Sequence, residues 1–113
     1  MRERPREAVG AFVGRGWAER AVPLVNAASD PYTRYLADPA GLLRLFRELD
    51  ERGEELVAFY HSHPFGLARP SEIDRQEARW PVPYVIFGLA EGAARAYLLP
   101  EDREVPLEVV DGA

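Results

Sequence analysis

The chain has no cysteine and no lysine, and only two of its 113 residues are histidine. Without cysteine, the core must form without disulfide help, and no thiol contributes to the chemistry. No apolar run approaches the roughly 20 residues that a membrane-spanning helix needs. Residues 1–7 are mostly charged and have no apolar stretch of signal type behind them. These absences predict a cytoplasmic protein.

The charge balance excludes two classes of partner. The formal net charge is −5, from 19 acidic and 14 basic residues that are interspersed along the chain. No basic patch is present for phosphate backbones or anionic lipids, so we expect neither a nucleic-acid nor a membrane partner. A length of 113 residues predicts a single domain, residues 1–113, with a modest core.

Hydrophobic patterning predicts a mixed α/β fold. Strands are expected over residues 8–13, 21–25, 56–60, 84–89, 94–99 and, at an edge, 105–110. A helix is expected to begin at Asp38 and Pro39, run to about Glu51 and end at Gly53. Its predicted buried stripe consists of Leu42, Leu43, Leu45, Phe46 and Leu49. A shorter helix is expected from about Ser71 to Arg79.

Both histidines follow the apolar run 56–60 directly. Because His61 and His63 are two residues apart on a strand, they lie on the same face and can share one metal ion. Asp74 falls in the first turn of the next predicted helix, where it can fold back over the strand end. Two imidazoles and one carboxylate, with a position left for water, are the ligands of catalytic zinc. A lone histidine at a strand end is usually a hydrogen-bonded or solvated ring, but this combination favours a metal site.

Ser71 has two interpretations that the sequence leaves open. Ser-x-x-Asp at a helix start is a capping-box pattern, in which Ser71 and Asp74 satisfy each other's backbone N–H groups. That reading needs no catalysis. The alternative is that the Ser71 hydroxyl belongs to a reaction centre built around the two histidines.

Taken together, these residues resemble the signature of the JAMM or MPN+ zinc metalloproteases. That signature is a distant Glu, then His-x-His-Pro, six residues, Ser, two residues and Asp. Residues 61–64, Ser71 and Asp74 match it, and residues 5–14 look like the family's Glu-x-x-Gly-x-x-x-Gly start with Glu7 as the glutamate. The resemblance runs from about residue 5 to residue 89. It implies a cytidine-deaminase-like or MPN fold, a mixed curved sheet flanked by helices.

The resemblance also implies the role of each site residue. One Zn²⁺ per chain, with a bound water, would be held by His61, His63 and Asp74. Glu7 would be the general acid and base, and Ser71 would donate to the oxygen on which negative charge develops. Without the family pattern, Glu7 would rank no higher than Glu3, because an N-terminal carboxylate is ordinarily a solvated charge.

The sequence after Asp74, residues 75–89, looks most like short prokaryotic members that act on ubiquitin-like sulfur-carrier proteins. The predicted reaction is hydrolysis of the amide after the carrier's C-terminal Gly-Gly, whether joined to a lysine amine or to free cysteine. An extended tail is expected to add as a strand beside the sheet, with Phe65, Leu67 and Trp80 as walls.

Two other interpretations of the sequence assign the chain to different classes of protein. Metal-free MPN domains are scaffolds that dimerise through helix faces, and a homodimer is compatible with either reading. A RadC-like DNA-repair protein is disfavoured by Ser62 between the histidines, by Phe65-Gly66, and by the acidic balance.

Overall fold

The computed structural model describes residues 8–26, 37–64 and 66–108, so Glu7 and Phe65 lie outside the described residues. The described elements, in chain order, are β1 (Val9–Gly14), β2 (Arg20–Leu24), α1 (Pro39–Arg52), β3 (Glu55–His63), α2 (Glu72–Glu77), β4 (Tyr84–Gly88), β5 (Ala93–Leu98) and β6 (Arg103–Val105). The predicted mixed α/β fold is confirmed. Neither described helix has the length and apolar character of a membrane-spanning segment.

The strands form one six-stranded sheet in the order β2-β1-β3-β4-β5-β6. Only the β3–β4 pair is parallel among the described strands; the other pairs are antiparallel. The parallel pair requires a crossover connection, and that connection contains α2. As a result β3 lies inside the sheet, paired on both sides, and α2 is brought back to the end of β3 that carries the histidines.

Helix α1 begins and ends where the sequence predicts. The Asp38 carboxylate caps its first turn by accepting from the Gly41 N–H at 3.2 Å, and Pro39 follows the cap. Gly53 ends the helix with a left-handed φ of 66°. Leu45 and Leu49 are buried, and Leu42 and Phe46 pack partly against the same core. The prediction for Leu43 is wrong: it is 54% exposed, because one step of about 100° turns it away from the buried stripe.

The core is divided between the two faces of the sheet. The larger cluster lies on the α1 face and contains Ala11, Val13, Leu45, Leu49, Phe59, Tyr84, Ile86, Tyr97 and Leu99. The smaller cluster, on the other face, contains Ala58, Val85 and Ala96, with Phe12, Tyr60, Phe87 and Val105 packed against it. The alternation of the strands produces this division, since neighbouring residues point to opposite faces.

Three predicted boundaries are corrected. Strand β3 continues through both histidines to His63 instead of ending before them. Helix α2 ends at Glu77, before the predicted Arg79, because the N–H groups of Arg79 and Trp80 donate to the Tyr84 hydroxyl at 3.1 and 3.2 Å. The edge strand β6 lies at Arg103–Val105, earlier than the predicted 105–110, because a turn with a positive φ of 59° at Asp102 returns the chain directly to β5.

Replacing Gly41 with alanine is expected to stabilise the protein. A Cβ at this helical position would meet its nearest atoms at 3.7 to 3.8 Å, an ordinary van der Waals contact. Alanine is favoured over glycine in a helix, so we expect Gly41→Ala to raise the free energy of unfolding by about 0.5 to 1 kcal/mol. Urea denaturation of the two proteins measures this difference. A lower unfolding midpoint for the variant would contradict the close fit around α1.

Candidate metal centre

Three side chains predicted as metal ligands converge at the end of β3. The Nε2 atoms of His61 and His63 are 3.2 Å apart. The Asp74 carboxylate, on α2, places Oδ1 3.1 Å from His61 Nε2 and Oδ2 3.0 Å from His63 Nε2. Among the described residues, these three form the group of histidine and carboxylate ligand atoms that could hold a metal ion.

Local sequence explains why the three side chains meet. His61 and His63 project from one face of β3, while Ser62 between them projects from the other. Asp74 is the third residue after the N-cap of α2, and its Oδ2 accepts from the Ser71 N–H at 2.8 Å. That hydrogen bond fixes the carboxylate at the start of the helix, so that both of its oxygens face the histidines.

The donor atoms fit a zinc ion. In a tetrahedral site with metal–ligand distances of about 2.0 to 2.1 Å, neighbouring ligand atoms lie about 3.3 Å apart. The spacings here are 3.0 to 3.2 Å. The arrangement also needs a cation. His63 donates from Nδ1 to the Leu67 carbonyl at 3.0 Å, so the neutral ring presents a lone pair at Nε2 towards the Asp74 carboxylate.

Burial and charge keep these groups in the form that binds metal. His61 is fully buried, and its desolvation lowers the pKa of the ring below the ordinary histidine value despite the neighbouring Asp74. Burial by itself would raise the pKa of Asp74, but its contacts with the His61 and His63 rings and the hydrogen bond from the Ser71 N–H outweigh it and hold that pKa well below its usual range. At neutral pH the site therefore offers a neutral imidazole and an ionised carboxylate.

Ser71 is the N-cap of α2, as the capping interpretation predicts. Its hydroxyl oxygen accepts from the Asp74 N–H at 3.1 Å, which completes the capping box. A hydroxyl that accepts one hydrogen bond keeps its own proton to donate. The side chain is exposed, so the capping role and a role towards a bound substrate are compatible.

A short loop after β3 orients His63 through the Leu67 carbonyl, and its neighbours hold that loop tightly. The Ala68 N–H donates to Glu91 Oε1 at 2.7 Å, and the Tyr97 hydroxyl donates to the Ala68 carbonyl at 3.0 Å. Gly88 lies against the same backbone. The sequence analysis did not predict these three supports, because no local pattern indicates which loop β4 and β5 contact.

Substituting Gly88 tests this support. A Cβ there would lie 2.3 Å from the Ala68 nitrogen and 2.6 Å from the Leu67 carbonyl carbon, and backbone atoms cannot move aside as a flexible side chain can. We expect Gly88→Ala to displace the Leu67 carbonyl from His63 and to weaken zinc binding by about 10- to 100-fold. Competition with a chromophoric chelator measures the affinity, and Gly41→Ala is the matched control, expected to bind zinc like the unaltered protein.

Helix α2 is also tied to the far end of the sheet. Arg75 Nε donates to both Asp102 carboxylate oxygens at 2.8 and 2.9 Å. The pKa of Asp102 is lowered by this hydrogen-bonded partner. Because Arg75 follows Asp74 directly, the pair restrains the helix that carries the third metal-binding candidate.

The predicted substrate-contacting residues have different environments. Leu67 is 49% exposed, consistent with a wall of an open groove. Trp80 packs its ring on Phe46 and Phe59, with centroid distances of 5.2 and 5.9 Å, so part of it belongs to the core. Glu7 and Phe65, as noted, are outside the described residues.

Comparisons with known proteins identify the family to which the chain is similar. A family model described as prokaryotic homologs of the JAB domain matches residues 1–99. A Thermus thermophilus protein named probable TtuB-protein conjugate cleaving protease is 52% identical over 110 residues, covering 97% of this chain and 73% of that protein. A desampylase of Haloferax volcanii is 35% identical over 80 residues, covering 68% of this chain and 58% of that protein.

A CysO-cysteine peptidase of Mycobacterium tuberculosis is 35% identical over 83 residues, covering 71% of this chain. The chain spans 56% of that peptidase's length, so it matches only about half of two of these relatives. A solution structure of a Desulfitobacterium hafniense protein superposes with a TM-score of 0.80 at 32% identity, covering 94% of this chain and 78% of that one.

Proposed function

This chain belongs to the family of prokaryotic homologs of the JAB domain, and on that basis we propose that it is a zinc-dependent peptidase. The JAMM-type resemblance seen in the sequence is thereby confirmed. The proposed reaction is hydrolysis of the amide after the C-terminal Gly-Gly of a ubiquitin-like or sulfur-carrier protein. One observation carries the proposal: two imidazole nitrogens and a carboxylate converge at 3.0 to 3.2 Å, with the spacing of a zinc site.

In this proposal His61, His63 and Asp74 would hold the Zn²⁺ ion. Bound zinc would act as a Lewis acid that polarises the scissile carbonyl, and it would lower the pKa of a water molecule to about 7. Glu7 takes the proton of the attacking water and passes it to the departing amine, a task that needs a carboxylate within hydrogen-bond reach of the water. The Ser71 hydroxyl would donate a hydrogen bond to the oxygen on which negative charge develops.

The substrate class is supported by the relatives' names, which refer to cleavage of a protein conjugate, to desampylation and to a carrier–cysteine peptide. Two exposed leucines flank His63: Leu67, whose carbonyl accepts from the ring, and Leu89, whose N–H donates to the His63 carbonyl at 3.1 Å. They offer apolar contacts beside the reaction centre. The added strand stays a prediction; among the described residues, β1 pairs with β3 as far as His61 and β4 pairs with β3 as far as His63.

The scaffold alternative has no support in the described residues, since all three ligand side chains are present and face one another. Homodimerisation and a cytoplasmic location stay predictions.

The test is cleavage of two synthetic substrates built on one carrier. In the first the Gly-Gly carboxyl is joined to a lysine side chain, and in the second it is followed by cysteine. We expect zinc-loaded protein to release the carrier from at least one, and the chelator-treated protein to release it from neither until zinc is restored. Zinc-loaded protein that cleaves neither substrate would refute this substrate class.

A further inference from the structure

Ser62 lies between the two histidines but cannot share their metal. Its side chain projects from the opposite face of β3, and the residue is only 8% exposed. A buried hydroxyl has to find a hydrogen-bond partner. The partner here is the backbone N–H of Ala8, which donates to Ser62 Oγ at 2.8 Å.

This contact replaces part of an ordinary strand ladder. In an antiparallel hydrogen-bonded pair, two opposite residues exchange both of their backbone bonds. Ser62 keeps one of them, donating its N–H to the Ala8 carbonyl at 3.0 Å. The second bond of the pair would join the Ala8 N–H to the Ser62 carbonyl, but here the Ala8 N–H donates to the Ser62 hydroxyl. The side chain of Ser62 thus decides how the chain enters β1, one residue before the first register pair, Val9 with His61.

The hydrogen bond between Ala8 and Ser62 is important because the Ala8 N–H lies next to Glu7 in the chain. The Ala8 N–H belongs to the planar peptide unit that joins Ala8 to the preceding residue, Glu7, so a hydrogen bond to this N–H restrains the backbone at that link. Ala8 itself is exposed, so packing of its side chain in the core does not restrain this part of the backbone. The same residue that separates the two metal-binding histidines therefore restrains the backbone next to the proposed general base.

We propose that Ser62 is a positioning residue for the proposed general base: its hydroxyl holds the Ala8 N–H and so restrains the start of β1, at the residue next in sequence to Glu7. The inference rests on the proposed function for its kinetic consequence, but the hydrogen bond can be tested without it. A catalytic group displaced by about 1 Å can lose about 100-fold in rate, so one buried hydrogen bond is enough to matter.

Kinetics of Ser62→Ala and Ser62→Thr test the proposal. The alanine variant loses the acceptor, and the threonine variant keeps it on a residue suited to strands. For Ser62→Ala we expect full zinc content, a kcat lower by about 10- to 100-fold and a KM within about twofold. Ser62→Thr is expected to restore most of kcat. In a Glu7→Gln background, Ser62→Ala should cause no further loss, since both changes act on one group.

An unchanged kcat in Ser62→Ala, or an equal loss with and without Glu7, would overturn the proposal. So would loss of zinc in step with activity, because Ser62 would then support the metal-binding strand in general.

A second readout does not depend on activity. Amide hydrogen exchange of Ala8 is expected to accelerate by at least about tenfold in Ser62→Ala, with the buried Ala11 amide of β1 as the internal reference. Zinc-loaded protein that cleaves no carrier would count against the proposed function alone. The Ala8 exchange rate would then still test whether the Ser62 hydroxyl accepts from the Ala8 N–H. Equal protection of Ala8 in both proteins would contradict it.

Discussion

Asp74→Asn is expected to lose zinc and, with it, all measurable cleavage. Asp74 is 2% exposed and faces both histidines with its two oxygens. Asparagine has nearly the same shape, but it removes the negative charge that the cluster needs to bind a dication. Loss of an outer hydrogen-bond partner already weakens metal sites by about 10- to 100-fold, so loss of a ligand should exceed about 100-fold in affinity. Chelator competition measures the affinity, and cleavage of the carrier substrates measures the activity.

A control on the same helix separates this effect from a change in α2. Glu72 is an exposed carboxylate of the first turn, paired with Arg75 at 3.3 Å. Glu72→Gln removes an equal charge two residues away and should keep wild-type zinc affinity, because its side chain does not reach the histidines. If Asp74→Asn bound zinc as tightly as the unaltered protein, the assignment of Asp74 as a ligand would be wrong.

Glu7→Gln is expected to lower kcat by about 10²- to 10⁴-fold while zinc content stays unchanged. The amide cannot accept a proton from the attacking water, yet it preserves the size of the side chain. Steady-state kinetics of the carrier substrates and metal analysis of the same preparation give both quantities.

Glu3→Gln is the matched control for this N-terminal carboxylate, with an expected kcat within about twofold of the unaltered protein. A Glu7→Gln variant that retained its kcat would move the role of general base to another group. Equal losses in the two variants would show that the effect is one of N-terminal charge and not of proton transfer.

Local rules predicted most of the scaffold. Asp38-Pro39 and Gly53 mark the ends of α1 because each has a conformational reason to be there, and the structure uses them as expected. The i and i+2 spacing of His61 and His63 was sufficient to place both rings on one face. The position of Asp74 in the first turn of a helix predicted that it lies near the two histidines. In the structure, the capping box with Ser71 holds it there.

Long-range contacts account for the features that the sequence did not predict. Hydrogen bonds to the Tyr84 hydroxyl end α2 earlier than predicted. The turn at Asp102 places β6 earlier in the chain than predicted. Both differences depend on contacts that exist only in the folded sheet. Likewise, nothing in the order of residues indicated that Glu91 and Tyr97 hold the Ala68 peptide, 23 and 29 positions away. The Ser62 hydroxyl reaches Ala8 across 54 positions. Such supports depend on register and loop packing, which no local pattern encodes.

Anomalous diffraction at the zinc absorption edge, from crystals of the zinc-loaded protein, tests the central claim most directly. The account predicts one strong peak per chain, bonded at about 2.0 to 2.1 Å to His61 Nε2, His63 Nε2 and an Asp74 carboxylate oxygen, with a position left for solvent. A peak elsewhere on the chain, or none at these three side chains at full zinc loading, would contradict it.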